Sequence, residues 1–263
     1  MEKVEKLTHV EHVLKRPDSY IGSVDKTNES YWLLNNTNKN FQKKNISYSP
    51  ALLKIFDEIL VNAIDRNSMH PKNVTQIAVS VDKETGAITI ENNGPLGGIS
   101  VRMNEKEGVW NPELTFGHLL TSTNYDDNQK RIVGGKNGYG AKLTNIYSSQ
   151  FSIIIKDGEE KKTYTQKWSD NMTICHPPKL TKYSATTSSV SITFTPDWKR
   201  FGMKSMDIDI YKIFEKRIWD ANICTTPSCK VKFQSEALPK QSFEAYAKMH
   251  EGVTDICSVT NDR

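Results

Sequence analysis

Residues 49–65, SPALLKIFDEILVNAID, contain the pattern that decides most about the fold. Ser49 is a favourable N-cap residue and Pro50 suits the first helical position, so a helix is predicted to begin here. Apolar side chains then recur at helical spacing, at Leu52, Phe56, Ile59, Leu60 and Ala63. This spacing predicts a helix that buries one apolar stripe.

A row of polar side chains lies on another face of the same predicted helix. Glu58, Asn62 and Asp65 fall at positions i, i+4 and i+7. Such a row is often a solvated outer face, but here Ile55 and Val61 flank it, which favours the lining of a pocket. In a pocket, a carboxylate can act as a general base toward water, and an amide oxygen can bind a hard cation such as magnesium.

Residues 134–142, GGKNGYGAK, form a glycine-rich segment with a helix-like stretch, residues 143–148, directly after it. Glycine permits positive φ angles and a close approach of the backbone to a ligand. Lys136 and Lys142 add positive charge. Exposed backbone N–H groups that lead into a helix, with cations beside them, bind anions. The segment is therefore either a polyphosphate-binding loop or a flexible turn.

Two more segments combine turn residues with polar side chains. Ile77, Val79 and Val81 alternate with other residues and predict a strand, which a turn connects to a second strand at residues 87–90. The second strand leads into NNGPLGG, residues 92–98, which turn chemistry alone can explain. Residues 121–127, TSTNYDD, offer hydroxyl and amide groups that either cap a loop or donate hydrogen bonds to phosphate oxygens.

The remaining local patterns define a fold class. Thr8 and Glu11 form a capping-box pattern for a short helix that ends before Pro17. Further strands are predicted at residues 150–156, 162–168, 190–195 and 230–234, and a long helix at residues 207–223. Strands paired as hairpins with helices over them predict an α+β fold, namely a two-layer sandwich of a mixed, mostly antiparallel sheet with helices on one face.

Composition excludes several classes of protein. No apolar run approaches the roughly 20 residues that a membrane-spanning helix needs, and the first residues do not form a signal peptide. We therefore expect an intracellular protein that is not secreted and has no membrane partner. The four cysteines lack metal-ligand spacing, which predicts reduced thiols. A net charge of +4 suits a mixed surface and does not by itself indicate nucleic-acid binding. Residues 35–44, rich in Asn and Lys, are predicted to form an exposed loop.

Four sequence words together carry a family resemblance. They are RPDSYIGS at residues 16–23, IFDEILVNA at 55–63, LLTSTNYDD at 119–127 and GYGAK at 138–142. In this order, they resemble the amino-terminal ATPase domain of eukaryotic-type type IIA DNA topoisomerases, cellular or from large DNA viruses. That domain has the Bergerat-type ATP-binding fold shared with gyrases, heat-shock chaperones, histidine kinases and mismatch-repair proteins. The resemblance extends from about Lys6 to about Tyr246.

The resemblance implies a role for each matching position. Glu58 matches the general base, and Asn62 matches the magnesium ligand. Asn92 matches a position near the adenine, and Thr193 is expected to support that end of the pocket. Contacts to ribose and phosphate are implied for Ser122, Thr123 and Asn124. The loop around the triphosphate is implied for Gly135, Lys136, Asn137, Gly138, Tyr139, Gly140, Ala141 and Lys142.

The sequence also departs from the family pattern. Pro95, Leu96 and Gly97 stand where the family has one residue, so the path of that loop near the adenine is open. Arg66 follows Asp65 where an amide is common, which weakens the expectation of a nucleotide contact there. Lys136 replaces a frequent arginine, which keeps the charge but loses the forked geometry. No Tyr or Phe precedes Tyr20, so no aromatic contact from the N-terminus to a partner's site is expected.

The resemblance further implies a domain organisation for this chain and a function in a larger enzyme. Residues 1–22 form an N-terminal arm and first helix, residues 23–246 the ATP-binding domain, and residues 247–263 the start of a transducer domain or a linker to it. The implied function is the N-gate of a type IIA topoisomerase, which forms a homodimer on binding ATP and Mg²⁺ and captures double-stranded DNA in the nucleus or in a viral particle or factory.

The length of the chain sets an expectation and leaves an alternative. With 263 residues, the chain is expected to hydrolyse ATP poorly, since a second domain should supply a lysine to the γ-phosphate and the DNA-cleaving tyrosine should lie elsewhere. The alternative is a stand-alone or regulatory ATP-binding module of the same superfamily without strand-passage activity.

Overall fold

The structure is a computed structural model that describes residues 6–119 and 138–256. In these residues the helices are α1 His9–Lys15, α2 Pro50–Met69, α3 Asn111–Gly117, α4 Gly140–Ile146, α5 Ile208–Cys224 and α6 Phe243–Lys248. The strands are β1 Thr27–Asn35, β2 Asn40–Tyr48, β3 Gln76–Val81, β4 Ile88–Asn93, β5 Met103–Asn104, β6 Val109–Trp110, β7 Ser148–Asp157, β8 Lys162–Ser169, β9 Ile174–Cys175, β10 Lys179–Lys182, β11 Ser189–Pro196, β12 Lys230–Phe233 and β13 Glu236–Ala237. Short 3₁₀ helices occur at Pro17–Ser19, Gly97–Ile99 and Trp198–Phe201. Over the described ranges, no helix combines the length and the apolar character that a transmembrane span requires.

A main sheet of nine strands, counted over the described residues, organises the fold. Its strand order is β10-β8-β7-β11-β4-β3-β12-β13, and β9 pairs with β8. Strands β3 and β12 run parallel, and the other neighbouring pairs of this sheet are antiparallel. The predicted mixed, mostly antiparallel sheet is confirmed. The pair β1–β2 forms a separate antiparallel hairpin.

The two faces of the main sheet differ in burial. In β11, Val190, Ile192 and Phe194 are buried, and the residues between them are partly exposed. Strands β3, β4 and β7 show the same alternation. Helices α2, α4 and α5 contact β4, β7, β11 and β12 of this sheet, and their buried side chains share one apolar core with those of the sheet. We call this covered side the inner face and the opposite side the outer face. The predicted two-layer sandwich with helices on one face is confirmed.

Helix α2 packs against the sheet and against α5. Ser49 caps its first turn with a side-chain hydrogen bond, and the predicted apolar stripe is fully buried. Phe56 stacks on Phe214 of α5, with ring centroids 4.1 Å apart. Beside this stack, Arg217 of α5 donates from Nε to both carboxylate oxygens of Asp57, at 3.0 and 3.1 Å. These contacts fix the helix that carries the polar row.

Two sequence-based boundaries are wrong. The predicted loop at residues 35–44 is mostly strand, since β1 and β2 pair as far as Asn35 and Asn40 and leave only residues 36–39 as the turn. Phe41 is completely buried and anchors the second strand, although the Asn and Lys residues around it suggest a solvated loop. The helix predicted at residues 143–148 begins earlier, at Gly140, and ends at Ile146.

Candidate functional site

Glu58 lies on α2 with its carboxylate between two other groups. Its side chain is 21% exposed, and Oε1 is 2.5 Å from Nζ of Lys54, one helical turn earlier. The other oxygen, Oε2, packs against Gly140 at the start of α4. A Cβ atom on Gly140 would lie within 2.9 Å of Glu58 Cδ and closer still to Oε2. Only glycine leaves the space that this carboxylate occupies.

Lys54 was missed as a site residue by the sequence reasoning. Its position four residues before Glu58 is the signal that could have identified it, because side chains at i and i+4 on a helix are neighbours. Lys54 is half-exposed, so the pair adds little to stability. The contact places its ammonium against one oxygen of the Glu58 carboxylate.

The start of α4 is fixed against α2 and α3. Thr144 is fully buried and donates from Oγ1 to the carbonyl of Ile55 in α2, at 2.8 Å. Asn145 donates from Nδ2 to the carbonyl of Phe116 in α3, at 3.0 Å. Gly138 has a φ of +65°, a conformation that favours glycine. The end of the glycine-rich segment is thus brought to the carboxylate of the predicted base.

Lys142 is a buried ammonium in α4. Its side chain is 1% exposed, and Nζ donates to the carbonyl of Gly138 at 2.7 Å. Burial lowers the pKa of Lys142 from 10.5 to about 8, because desolvation disfavours the charged form. Tyr139 and Ala141, on either side of Gly140, are partly buried and pack against the main core.

Asn62 lies on α2 one turn after Glu58. Its side chain is exposed, so its amide oxygen is accessible to a ligand. Of the two apolar residues predicted to flank the polar row, Ile55 is completely buried and Val61 is partly exposed. The polar row is therefore flanked by a fully buried apolar side chain on one side only. A carboxylate and an amide oxygen one turn apart are hard donors of the type that magnesium prefers.

Asn92 and Thr193 lie on opposite faces of the main sheet. Asn92 is 7% exposed and shares the inner face with Ile90 of the same strand. Thr193 is on the outer face, where its Oγ1 is 2.8 Å from Oγ1 of Thr89. The register places Val190 of β11 opposite Asn92. The expectation that Thr193 supports the cavity beside Asn92 is therefore corrected, since the strand alternation turns its side chain away.

The loop after Asn92 follows a defined path. Leu96 is buried in the main core, and its carbonyl accepts a hydrogen bond from Nη2 of Arg66 in α2. Gly94 has a φ of +110°, and a Cβ there would clash with Val74. Leu96, which belongs to the segment that is longer than in the family pattern, thus anchors the loop. Arg66 binds the backbone of this loop and does not extend the polar row of α2.

Six of the predicted site residues cannot be placed. Ser122, Thr123, Asn124, Gly135, Lys136 and Asn137 lie outside the described residues.

The fold and the site together define the class: a two-layer domain of the Bergerat type, with an acid and an amide on one helix and a glycine segment against them. No family model matches the chain. The chain is 42% identical over 249 residues to DNA topoisomerase 2 from Penicillium chrysogenum, a match that covers 95% of this chain and 15% of that protein.

Solved structures agree with this class. The ATPase region of Saccharomyces cerevisiae topoisomerase II is 41% identical with a TM-score of 0.89, over 94% of this chain and 64% of that one. The ATPase and transducer domains of DNA topoisomerase II from Balamuthia mandrillaris give 40% identity and a TM-score of 0.89, over 94% and 63%. The chain is homologous to the ATPase region of eukaryotic DNA topoisomerase 2. It spans about one sixth of the length of the curated relatives it matches, 15% and 17% for the first two.

Proposed function

We propose that this chain binds ATP with magnesium and hydrolyses it, as the ATP-operated N-gate of a type IIA DNA topoisomerase. The observation that carries the proposal is the contact of Glu58 with the glycine start of α4, together with Asn62 one turn further along α2. Such a site needs a general base, an amide oxygen for the metal and an unobstructed backbone for the phosphates, which Gly140 provides because it has no side chain.

Glu58 is the proposed general base. It accepts a hydrogen bond from the attacking water, orients it and takes its proton. Lys54 holds Oε1, and Gly140 leaves room for Oε2, so the carboxylate keeps one orientation. Orientation matters because a catalytic group must be held in the reactive geometry before it contributes to the rate.

The phosphate end of the site is proposed at the start of α4. Gly138, Tyr139, Gly140 and Ala141 supply backbone close to Glu58, and a triphosphate nearby would stabilise the charged form of Lys142. Gly135, Lys136 and Asn137, with Ser122, Thr123 and Asn124, remain predicted contacts to phosphate and ribose. Asn92, on the inner face, is the proposed neighbour of the adenine.

Asn62 is the proposed ligand of Mg²⁺. The described residues contain no group of three His, Cys, Asp or Glu that could hold a metal ion, so Asn62 would share the ion with phosphate oxygens. When bound, magnesium supplies positive charge beside the phosphates.

The activity of a whole enzyme is a further part of the proposal. Similarity to DNA topoisomerase 2 supports nuclear localisation, a homodimer that closes on binding ATP and capture of double-stranded DNA for strand passage. Residues 23–246 would be the ATP-binding domain, preceded by the arm at residues 1–22. Residues 247–263 would lead toward a transducer domain.

The test separates binding from hydrolysis in the 263-residue chain. Calorimetry with a nonhydrolysable ATP analogue and Mg²⁺ measures affinity, and single-turnover assays with excess protein detect slow hydrolysis. Glu58→Gln should keep the affinity within a few-fold and lower hydrolysis by about 10²–10⁴-fold, the usual contribution of a general base. Glu107→Gln, a change of the same kind on the surface, should behave like the wild type. Absence of analogue binding by the wild type, or undiminished hydrolysis by Glu58→Gln, contradicts the proposal.

A further inference from the structure

The outer face of the main sheet carries an excess of positive charge. In the described strands, its charged residues are Lys156, Lys167, Lys179, Lys230, Lys232 and Glu91. Five positive charges and one negative charge leave a net +4, which equals the formal net charge of the whole chain. On the described strands of this face, positive side chains therefore outnumber negative ones by four.

The lysines of the outer face are not neutralised by neighbours. Among the described residues, none of the five forms an ion pair with a carboxylate. Elsewhere the described surface does pair its charges, for example at Arg102 and Glu160, 2.5 Å apart. Unpaired like charges on one face repel each other and attract a polyanion.

The strand register spreads the lysines across the sheet. Lys156 on β7 lies in one transverse row with Ser189, Asn93, Gln76 and Lys230. Lys179 on β10 lies in the next row, which passes through Glu91 on β4 and ends at Lys232. With neighbouring strands about 4.8 Å apart, the first row separates its lysines by roughly 19 Å and the second by roughly 29 Å.

Between the lysines, the outer face consists largely of hydroxyl groups. These residues are Ser80, Thr89, Ser152, Thr163, Thr165, Thr181, Ser189, Ser191, Thr193 and Thr195. Lys, Ser, Thr, Asn and Gln are side chains that contact the phosphates and sugars of DNA. Exposed apolar side chains are few, chiefly Ile154 and Ile174, which makes the face unlike the core of a protein interface.

We propose that this outer face binds the backbone of double-stranded DNA without sequence preference. The outer-face positions of the described strands contain no aromatic residue for stacking on unpaired bases and no arginine for reading guanine. Duplex DNA carries one charge per about 1.7 Å of axis, so a row of roughly 29 Å spans about eight base pairs. The inference rests on the proposed function for its partner, and adds that the ATP-binding layer itself contacts the duplex.

The experiment measures the salt dependence of duplex binding. The 263-residue chain is titrated with a fluorescent 30-base-pair duplex between 50 and 200 mM salt, followed by anisotropy. If all five lysines contact phosphates, log K falls with log salt at a slope of about −4.5. The double variant Lys156→Gln, Lys230→Gln should reduce that slope by about 1.8. Lys44→Gln with Lys106→Gln removes the same charge from other exposed positions and should leave the slope unchanged.

Three outcomes overturn the inference: no duplex binding, an equal loss in the control variant, or tighter binding of poly-glutamate than of the duplex at the same salt. The last outcome would assign the face to an acidic protein. Circular dichroism checks that each variant is folded. Calorimetry with the nonhydrolysable ATP analogue runs in parallel, because the lysine variants leave the nucleotide site intact. Nucleotide binding without duplex binding refutes only this inference, and failure of nucleotide binding refutes the proposed function.

Discussion

The carboxylate of Glu58 occupies the volume that a side chain on Gly140 would fill. These two residues belong to different helices and are 82 positions apart in the sequence. Their complementarity links the position of the proposed base to the conformation of the glycine-rich segment. A substitution of either residue is therefore expected to change the position of the other.

Gly140→Ala should lower hydrolysis by displacing the base. The added methyl group overlaps Oε2 of Glu58, and α4 cannot withdraw because Thr144 ties it to α2. We expect at least a tenfold loss in the single-turnover rate. The effect should vanish in the Glu58→Gln background, where no base remains to be displaced. A full additional loss in that background would show that the methyl group acts elsewhere.

Lys54→Met should lower the rate of hydrolysis without weakening nucleotide binding. It frees Oε1 of Glu58 from its 2.5 Å contact, so the carboxylate samples other orientations. We expect about a tenfold lower single-turnover rate at saturating ATP, while the affinity for the analogue stays within twofold. Lys54→Arg keeps a cation and should retain most of the rate. Equal loss in both variants would contradict an orienting role.

Lys142 should make stability depend on alkaline pH. Its folded-state pKa of about 8 lies below the ordinary value of 10.5, so the unfolded chain binds more protons between these two pH values. The contribution of Lys142 to the free energy of unfolding therefore rises as pH increases from 8 to 10.5. Urea unfolding at pH 7 and pH 9.5 should show the wild type gaining stability relative to Lys142→Met. A constant difference would mean that this amine does not titrate in the window.

Arg217→Gln should destabilise the junction of α2 and α5. Burial raises the pKa of Asp57, and Arg217 opposes that rise through its charge and two hydrogen bonds. Removing Arg217 leaves a carboxylate buried without this partner, at a cost of about 2–3 kcal/mol near pH 7.

The pH dependence of Arg217→Gln has a definite sign. With the folded-state pKa of Asp57 raised further, stability is lost as pH rises through that pKa, so the deficit should be larger at pH 7 than at pH 4.5. Urea unfolding at both values measures it. Adding Asp57→Asn removes the buried charge and should recover most of the loss at pH 7.

Local patterns were sufficient to predict α2 and the polar row on it. Ser49, Pro50 and the apolar spacing act within a few residues of one another, so the helix and its buried stripe could be deduced from the sequence. The hairpin of β3 and β4 was predictable for the same reason, since its strands and turn are adjacent.

Features that depend on distant pairing could not be deduced in this way. The side of the sheet on which Thr193 lies follows from the register of β11 with β4, about 100 positions earlier. Arg66 meets the carbonyl of Leu96 only because the lengthened loop folds back over α2. The contact of Glu58 with Gly140 likewise depends on how two helices pack.

The stack of Phe56 on Phe214 has a consequence for synthesis of the chain. Phe214 follows Phe56 by 158 positions, so a ribosome releases α2 long before the aromatic ring that covers it exists. Until then, the apolar stripe of α2 remains incompletely shielded, a state in which nascent chains are prone to associate or to need chaperones. Helix α2, which carries the proposed base, is thus synthesised well before the residue that completes its aromatic cover.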